Sequence, residues 1–204
     1  VNTVIAIVNY GAGNLYSISL ALEKLGAKVK VTDSPAVVKS AGAVVLPGVG
    51  AFDEAITNLL RLNLLPAIKK SIEDGRPFLG ICLGMQLLFY KSEEGKRNGL
   101  GIIKGRVRRF RGAEKIPHMG WNRVRCEKEI PLWKGLPHFC WMYFAHSFYP
   151  QPEEESIIAG ITDYNTVFAS MIWKDNIFGT QFHPEKSGKD GLLFLKNFVK
   201  LCRR

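Results

Sequence analysis

Pro77-Phe78-Leu79-Gly80-Ile81-Cys82-Leu83-Gly84-Met85-Gln86-Leu87-Leu88-Phe89 is an apolar run broken by one cysteine between two glycines. It reads as a buried strand, a sharp turn and a helix. Gly80-Ile81-Cys82-Leu83-Gly84 has the Gly-x-nucleophile-x-Gly spacing of a nucleophile elbow, where small flanking residues relieve crowding around a strained turn. Cysteine in the middle makes the nucleophile a thiolate. A helix starting after Cys82 would turn its unpaired N–H groups toward the sulfur, lowering the pKa of a thiol and leaving the Leu83 N–H free as an oxyanion donor. A lone G-x-C-x-G is equally compatible with an inert cysteine in a glycine-bordered core strand, because free cysteine is among the most buried residue types.

Gly179-Thr180-Gln181-Phe182-His183-Pro184-Glu185-Lys186-Ser187 supplies the second signal. In an extended segment, residues two apart face one side, so His183 and Glu185 are expected to project together, with Pro184 stiffening the link. That gives a base and a carboxylate to orient it. Taken alone, His-Pro-Glu reads more readily as a turn at a strand end. Combined with Cys82 it forms the constellation for acyl transfer by cysteine.

With Cys82, His183 and Glu185 in order and in context, the sequence resembles the class I glutamine amidotransferases. The resemblance runs the length of the chain, through Asn9-Tyr10-Gly11-Ala12-Gly13-Asn14-Leu15, Leu46-Pro47-Gly48-Val49-Gly50-Ala51-Phe52 and Tyr143-Phe144-Ala145-His146-Ser147. Pro117-His118-Met119-Gly120-Trp121-Asn122 is similar to the branch of that family serving histidine biosynthesis, whose glutaminase passes ammonia to a separate (β/α)8-barrel cyclase subunit. Asn9 stands where the family usually has aspartate, and Tyr90 where the helix after the elbow commonly carries glutamate. The resemblance implies L-glutamine as substrate, a γ-glutamyl thioester and a cytoplasmic heterodimer, with no cofactor or metal. It also implies Val49 N–H as a second oxyanion donor, Gly50, Gln86, His146 and Ser147 as substrate-binding residues, and Asn14, Trp121 and Lys186 at or near the cyclase. Three rivals share parts of the pattern: a glutaminase of another pathway, a cysteine hydrolase of other amides, and a non-catalytic binding subunit.

Composition narrows the field. At 204 residues, 47% hydrophobic and 23% charged, residues 1–204 suit one domain with a full core. Cys82, Cys126, Cys140 and Cys202 show neither zinc nor disulfide spacing, which fits a reducing compartment. No apolar run approaches the ~20 residues of a membrane span. The net charge of +10 gathers at Lys96, Arg97, Lys104, Arg106, Arg108, Arg109, Arg111 and Lys115, with Glu114 the only opposing residue in that stretch. Phe110 is the only aromatic among them, so a nucleic-acid role is disfavoured and an acidic protein partner or anionic substrate preferred.

Along the chain, Val4-Ile5-Ala6-Ile7-Val8 and Ala43-Val44-Val45-Leu46 read as strands buried on both faces, with a helical face at Leu15, Ile18, Leu22 and Leu25, a stop at Gly26 and a strand from Lys28. Asp33-Ser34-Pro35 starts a helix. Helical spacing resumes from Ile56, with Pro66 opening a second piece, and closes the chain from Leu192 to Cys202. Between these, segments 106–110, 121–126, 141–144, 157–161, 166–172 and 177–182 read as added antiparallel strands. The expected fold is α/β in three layers, a largely parallel central sheet with an antiparallel extension.

Overall fold

The β-branched runs pair side by side. The computed structural model describes residues 3–112 and 115–203, so Glu114 lies outside the described residues. In it β1 (Val4–Val8) runs parallel to β2 (Lys28–Thr32) on one side and β3 (Ala43–Gly48) on the other, and β3 runs parallel to β4 (Phe78–Cys82). Every residue of β3 and β4 is buried, as parallel strands covered on both faces require. Alternation splits their side chains between two cores. Ile5, Ile7, Val45, Leu79 and Ile81 pack with α1 (Leu15–Lys24) and the last helix, α6 (Gly188–Cys202). Val8, Val44, Leu46 and Phe78 pack with α2 (Pro35–Ser40), α3 (Phe52–Arg61) and α4 (Leu64–Glu73). The three layers follow from that period of two.

Beyond β4 the sheet continues through β12 (Ile177–Thr180), β11 (Val167–Lys174), β10 (Ile158–Asp163), β7 (His118–Cys126) and β8 (Phe139–His146), a nine-stranded sheet among the described residues. Four of the five expected extension strands in this sheet are antiparallel, but β12 is not simply one of them. It runs parallel to β4, Gly179 opposite Gly80, and antiparallel to β11. It is therefore the seam between the two halves, and it carries the segment toward His183 up beside the elbow.

Three expectations need correction. The helix after the elbow, α5 (Leu83–Gln86), is a single turn, and the apolar run goes straight into β5 (Phe89–Ser92). Tyr90 is therefore an exposed strand residue, and its hydroxyl accepts from Asn98. Second, β5, β6 (Ile103–Arg109) and β9 (Phe148–Pro152) form a separate three-stranded sheet, so the expected 106–110 strand does not extend the main one. Third, α4 begins at Leu64, with Pro66 inside its first turn, where a missing N–H costs no helical bond.

The basic stretch also has more counter-charge than its own residues supply. Glu93 lies 2.9 Å from Arg108 and 3.7 Å from Arg111, and Asp53 accepts the backbone N–H groups of Lys96 and Arg97. Among the described residues no helix is long and apolar enough to cross a membrane, and the four cysteines are free and buried.

Candidate active site

β4 delivers Cys82 at φ 53°, ψ −111°, outside the ordinary wells of an L-residue. The two glycines make that turn possible. A Cβ on Gly84 would stand 1.7 Å from the Leu46 carbonyl oxygen of β3, and one on Gly80 would stand 2.8 Å from the Gly84 carbonyl oxygen. Both obstacles are backbone, so neither can swing aside. Gly84→Ala is expected to destabilise the protein by about 3 kcal/mol or more, at the upper end of overpacking costs. A denaturant midpoint equal to that of the native protein would refute this.

Cys82 caps α5, and the Leu83 N–H belongs to the first turn, whose N–H groups lack helical partners. With one turn only, the expected dipole effect reduces to these local N–H groups. Sγ, buried to 4% exposure, accepts from Gln181 Nε2 at 3.4 Å and lies 3.9 Å from the Ala145 carbonyl oxygen.

His183 and Glu185 do meet, by a different route from the one expected. Residues Pro184–Lys186 form a 3₁₀ turn, so tight curvature rather than strand alternation brings Glu185 back under the ring. His183 Nδ1 lies 2.8 Å from Glu185 Oε1, with the side chains only 3% and 4% exposed. The backbone is pinned as well: His183 N donates to the Tyr143 carbonyl, and the Ser187 hydroxyl donates to the His183 carbonyl while accepting from Tyr143 N. Burial works against a charged imidazole here. The negative charge of Cys82 and the bond to Glu185 outweigh it and push His183 up to about 10. Nε2 has no hydrogen-bond partner among the described residues and is the ring atom left for proton transfer.

Cys82 opens into a cavity of about 200 Å³ lined by Val49, Gly50, Leu83, Gln86, His146 and Ser147, which gathers every residue expected in the oxyanion hole and the substrate site. Two of them are more committed than expected. Gln86 Nε2 is 2.9 Å from both the Phe148 carbonyl and Gln181 Oε1, which leaves mainly its carbonyl end for a ligand. His146 Nδ1 donates to the Phe148 carbonyl at 2.8 Å, so Nε2 accepts from His118 Nδ1 at 2.9 Å, and His118 Nε2 accepts from Asn122. With both nitrogens occupied, His146 shapes the wall rather than offering a hydrogen bond to substrate.

The charged wall residue not anticipated is Glu94. It lines the same cavity, and its Oε2 accepts from Phe52 N at the start of α3. Burial raises its pKa, partly offset by that bond. Only the loop's return from the second sheet brings it here, and no local pattern announces that. A larger open groove of about 820 Å³, lined by Cys126, Trp133 and His138 among others, contains none of the triad.

The histidine pair gives a pH signature. Burial holds His118 down to about 4 and His146 down to about 3, against an ordinary 6.5. Both are folded as neutral rings, so their contribution is complete above 6.5 and is lost as pH falls toward those lower values, because the unfolded chain takes up protons that the folded one refuses. Stability is expected to drop by a few kcal/mol between about pH 7 and pH 4. His183 has the opposite sign, its contribution present below 6.5 and lost as pH rises through about 10. Urea midpoints flat across the acid window would contradict the pair's neutrality.

Outside the cavity mouth, Trp121 is 54% exposed, stands edge-on to Tyr143 at 6.2 Å, and Lys186 Nζ lies 5.7 Å from that ring. Met119, on the same strand, is exposed and also lines the cavity, so the patch and the site are continuous. Asn14, in the turn between β1 and α1, is exposed, and its side chain accepts from Ser17 N and caps α1.

A strained cysteine on an elbow, a buried His–Glu pair interacting with it and a three-layer α/β frame together make an arrangement suited to acyl transfer by cysteine. The sequence profile described as "Glutamine amidotransferase class-I" matches residues 6–202, and the chain belongs to that family. It is 50% identical to "Imidazole glycerol phosphate synthase subunit HisH" of Moorella thermoacetica, across 98% of this chain and 95% of that one. The protein of the same name from Methanocaldococcus jannaschii is also 50% identical, across 97% and 99% of the two chains. Among solved structures, PurLQS from Thermotoga maritima superposes with a TM-score of 0.78 at 19% identity, covering 98% of this chain and 99% of that one. At that identity the superposition speaks for the fold alone.

Proposed function

We propose that residues 1–204 act as the glutaminase subunit of an imidazole glycerol phosphate synthase, hydrolysing L-glutamine and passing ammonia to a (β/α)8-barrel cyclase subunit. The observation that carries the chemistry is the buried His183–Glu185 pair at 2.8 Å beside the strained Cys82. The likeness to subunits of that name supports the pathway.

Cys82 Sγ attacks the side-chain carboxamide carbon, and the carbonyl oxygen becomes an oxyanion facing the Leu83 N–H and, after rotation of the 48–50 turn, the Val49 N–H. Protonated His183 delivers its Nε2 proton to the departing nitrogen, so ammonia leaves and a γ-glutamyl thioester remains. Neutral His183 then takes a proton from water. The resulting hydroxide attacks the thioester, glutamate is released, and thiolate and imidazolium are restored. Glu185 holds Nδ1 protonated throughout. Glu94, with Ser147, Gly50 and the carbonyl end of Gln86, provides polar groups for the amino-acid end of glutamine, the Glu94 carboxylate opposing its ammonium.

The continuity of the Trp121, Tyr143, Lys186 and Met119 patch with the cavity supports docking of the cyclase there, with Asn14, after β1, at the same C-terminal edge of the parallel strands as Cys82. One missing oxyanion donor costs about 3 kcal/mol, or two to three orders of magnitude, enough to keep a formed triad nearly silent until docking turns the Val49 N–H inward. Glutaminase turnover is therefore expected to rise stepwise from the free chain to the complex to the complex holding the cyclase's nucleotide substrate. Comparable turnover in all three would overturn the activation, and failure of every preparation to release glutamate from glutamine would overturn the function.

A further inference from the structure

Tyr10 follows β1 and is completely buried, yet its hydroxyl has no hydrogen-bond partner among the described residues. Buried polar groups are nearly always paired, so this one calls for a cause. The hydroxyl lies against the 47–50 turn: a Cβ placed on Gly48 would stand 2.2 Å from it and 2.9 Å from Leu83 Cβ. Gly48 is thus held between Tyr10 and the elbow, paired with Cys82 across β3 and β4. The residues after it are loosely held. Val49 is 42% exposed, and Gly50 adopts φ +103° with nothing among the described residues within 4 Å of where its Cβ would be.

We propose that Tyr10 is a positioning residue for the oxyanion turn, its hydroxyl donating to the Gly48 carbonyl once the peptide between Gly48 and Val49 has rotated to aim the Val49 N–H into the cavity. The proposal rests on the reading of Cys82 as glutaminase nucleophile with the Val49 N–H as second donor. The N–H and C=O of one peptide point in opposite directions, so turning the N–H into the cavity swings the carbonyl toward the wall behind it. The Tyr10 hydroxyl, packed against Gly48 and without a partner among the described residues, is the group we assign to receive it. Unpaired before the rotation and paired after it, the hydroxyl lowers the free energy of the competent arrangement alone, which is what biases a two-state turn. Burial, and secondarily the charge of Cys82, raise the phenol's pKa above its ordinary value, so it remains a proton donor at working pH. It transfers no proton and touches no substrate. Its effect reaches the reaction through the turn.

The test is Tyr10→Phe, which removes the oxygen and keeps the ring. Three quantities are measured beside wild type: the ratio of glutaminase kcat in the ligand-loaded cyclase complex to that of the free chain, KM for glutamine in the complex, and the urea midpoint of the free chain. The expected result is a ratio lowered at least about tenfold, the equivalent of one neutral hydrogen bond. KM should be unchanged within about twofold, since substrate contacts are intact. The midpoint should be unchanged or raised, because the lost hydroxyl had no partner at rest. An activated wild type with an equally activated Tyr10→Phe would overturn the proposal alone. A wild type that shows no activation would overturn the underlying reading together with it. A fall in the ratio with a lowered midpoint would show that the hydroxyl is already paired at rest and would also overturn the proposal.

Discussion

Cys82→Ala loses glutamine hydrolysis by at least about four orders of magnitude while the protein remains folded and still docks. The size follows from covalent catalysis: without Sγ there is no thioester route, and the remaining oxyanion donors and imidazole have nothing positioned to attack the carboxamide. Folding survives because alanine keeps the Cβ that the elbow already accommodates at φ 53°, and because the polar contacts of Sγ among the described residues are long, 3.4 Å to Gln181 and 3.9 Å to the Ala145 carbonyl. The measurement is glutamate release in the assembled complex, with synthesis driven by added ammonia as the control. Ammonia-dependent synthesis should be retained, since the proposed function places that chemistry on the partner. Hydrolysis within tenfold of wild type would remove Cys82 as nucleophile.

The elbow is legible in the sequence because its signal is local and steric. Gly80 and Gly84 are required by backbone atoms at 2.8 and 1.7 Å, and a spacing rule captures that requirement without knowledge of the rest of the fold. The parallel core is legible for a similar reason, since strands buried on both faces are apolar at nearly every position. What escapes the sequence is what depends on distant partners. Leu87, Leu88 and Phe89 continue an apolar run and look helical, yet Leu88 supplies its carbonyl to Ile102 and Ile103, and that long-range pairing diverts the chain into β5. β9 holds Pro150 and Pro152, which argue locally against a strand, but it is an edge strand, where a missing N–H is tolerated. Its carbonyl at Phe148 anchors both Gln86 and His146. His183 and Glu185 meet as their spacing suggests, but through a 3₁₀ turn opened by Pro184 rather than by alternation along a strand. Glu94 and the unpaired Tyr10 hydroxyl have no sequence signature, because each matters only for what tertiary structure places against it.

Glu185→Gln is expected to lower glutaminase kcat by about three to four orders of magnitude, by analogy with carboxylate-to-amide changes in serine triads. The mutated group is nearly isosteric, so the loss comes from protons and charge. Glu185 Oε1 accepts from His183 Nδ1 at 2.8 Å, which keeps the proton on Nδ1 and leaves Nε2 to exchange one with the reacting groups. A glutamine amide turned with its N–H toward Nδ1 would stabilise the opposite tautomer, with Nε2 already protonated and unable to take a proton from water. The charge matters as well. His183 is pushed up to about 10 against the opposing effect of its burial, with Cys82 the larger contributor and Glu185 the next. Removing the carboxylate charge lowers that value, so less of the enzyme holds the imidazolium needed to protonate departing ammonia at high pH. The alkaline limb of the kcat profile should therefore move toward lower pH in Glu185→Gln, a displacement that a general loosening of the fold would not produce. Conservative replacement by aspartate should recover part of the rate if the shorter carboxylate can still reach Nδ1. A Glu185→Gln protein with wild-type kcat and an unmoved alkaline limb would exclude Glu185 from the triad, and with it the assignment of His183 as a base held in one tautomer.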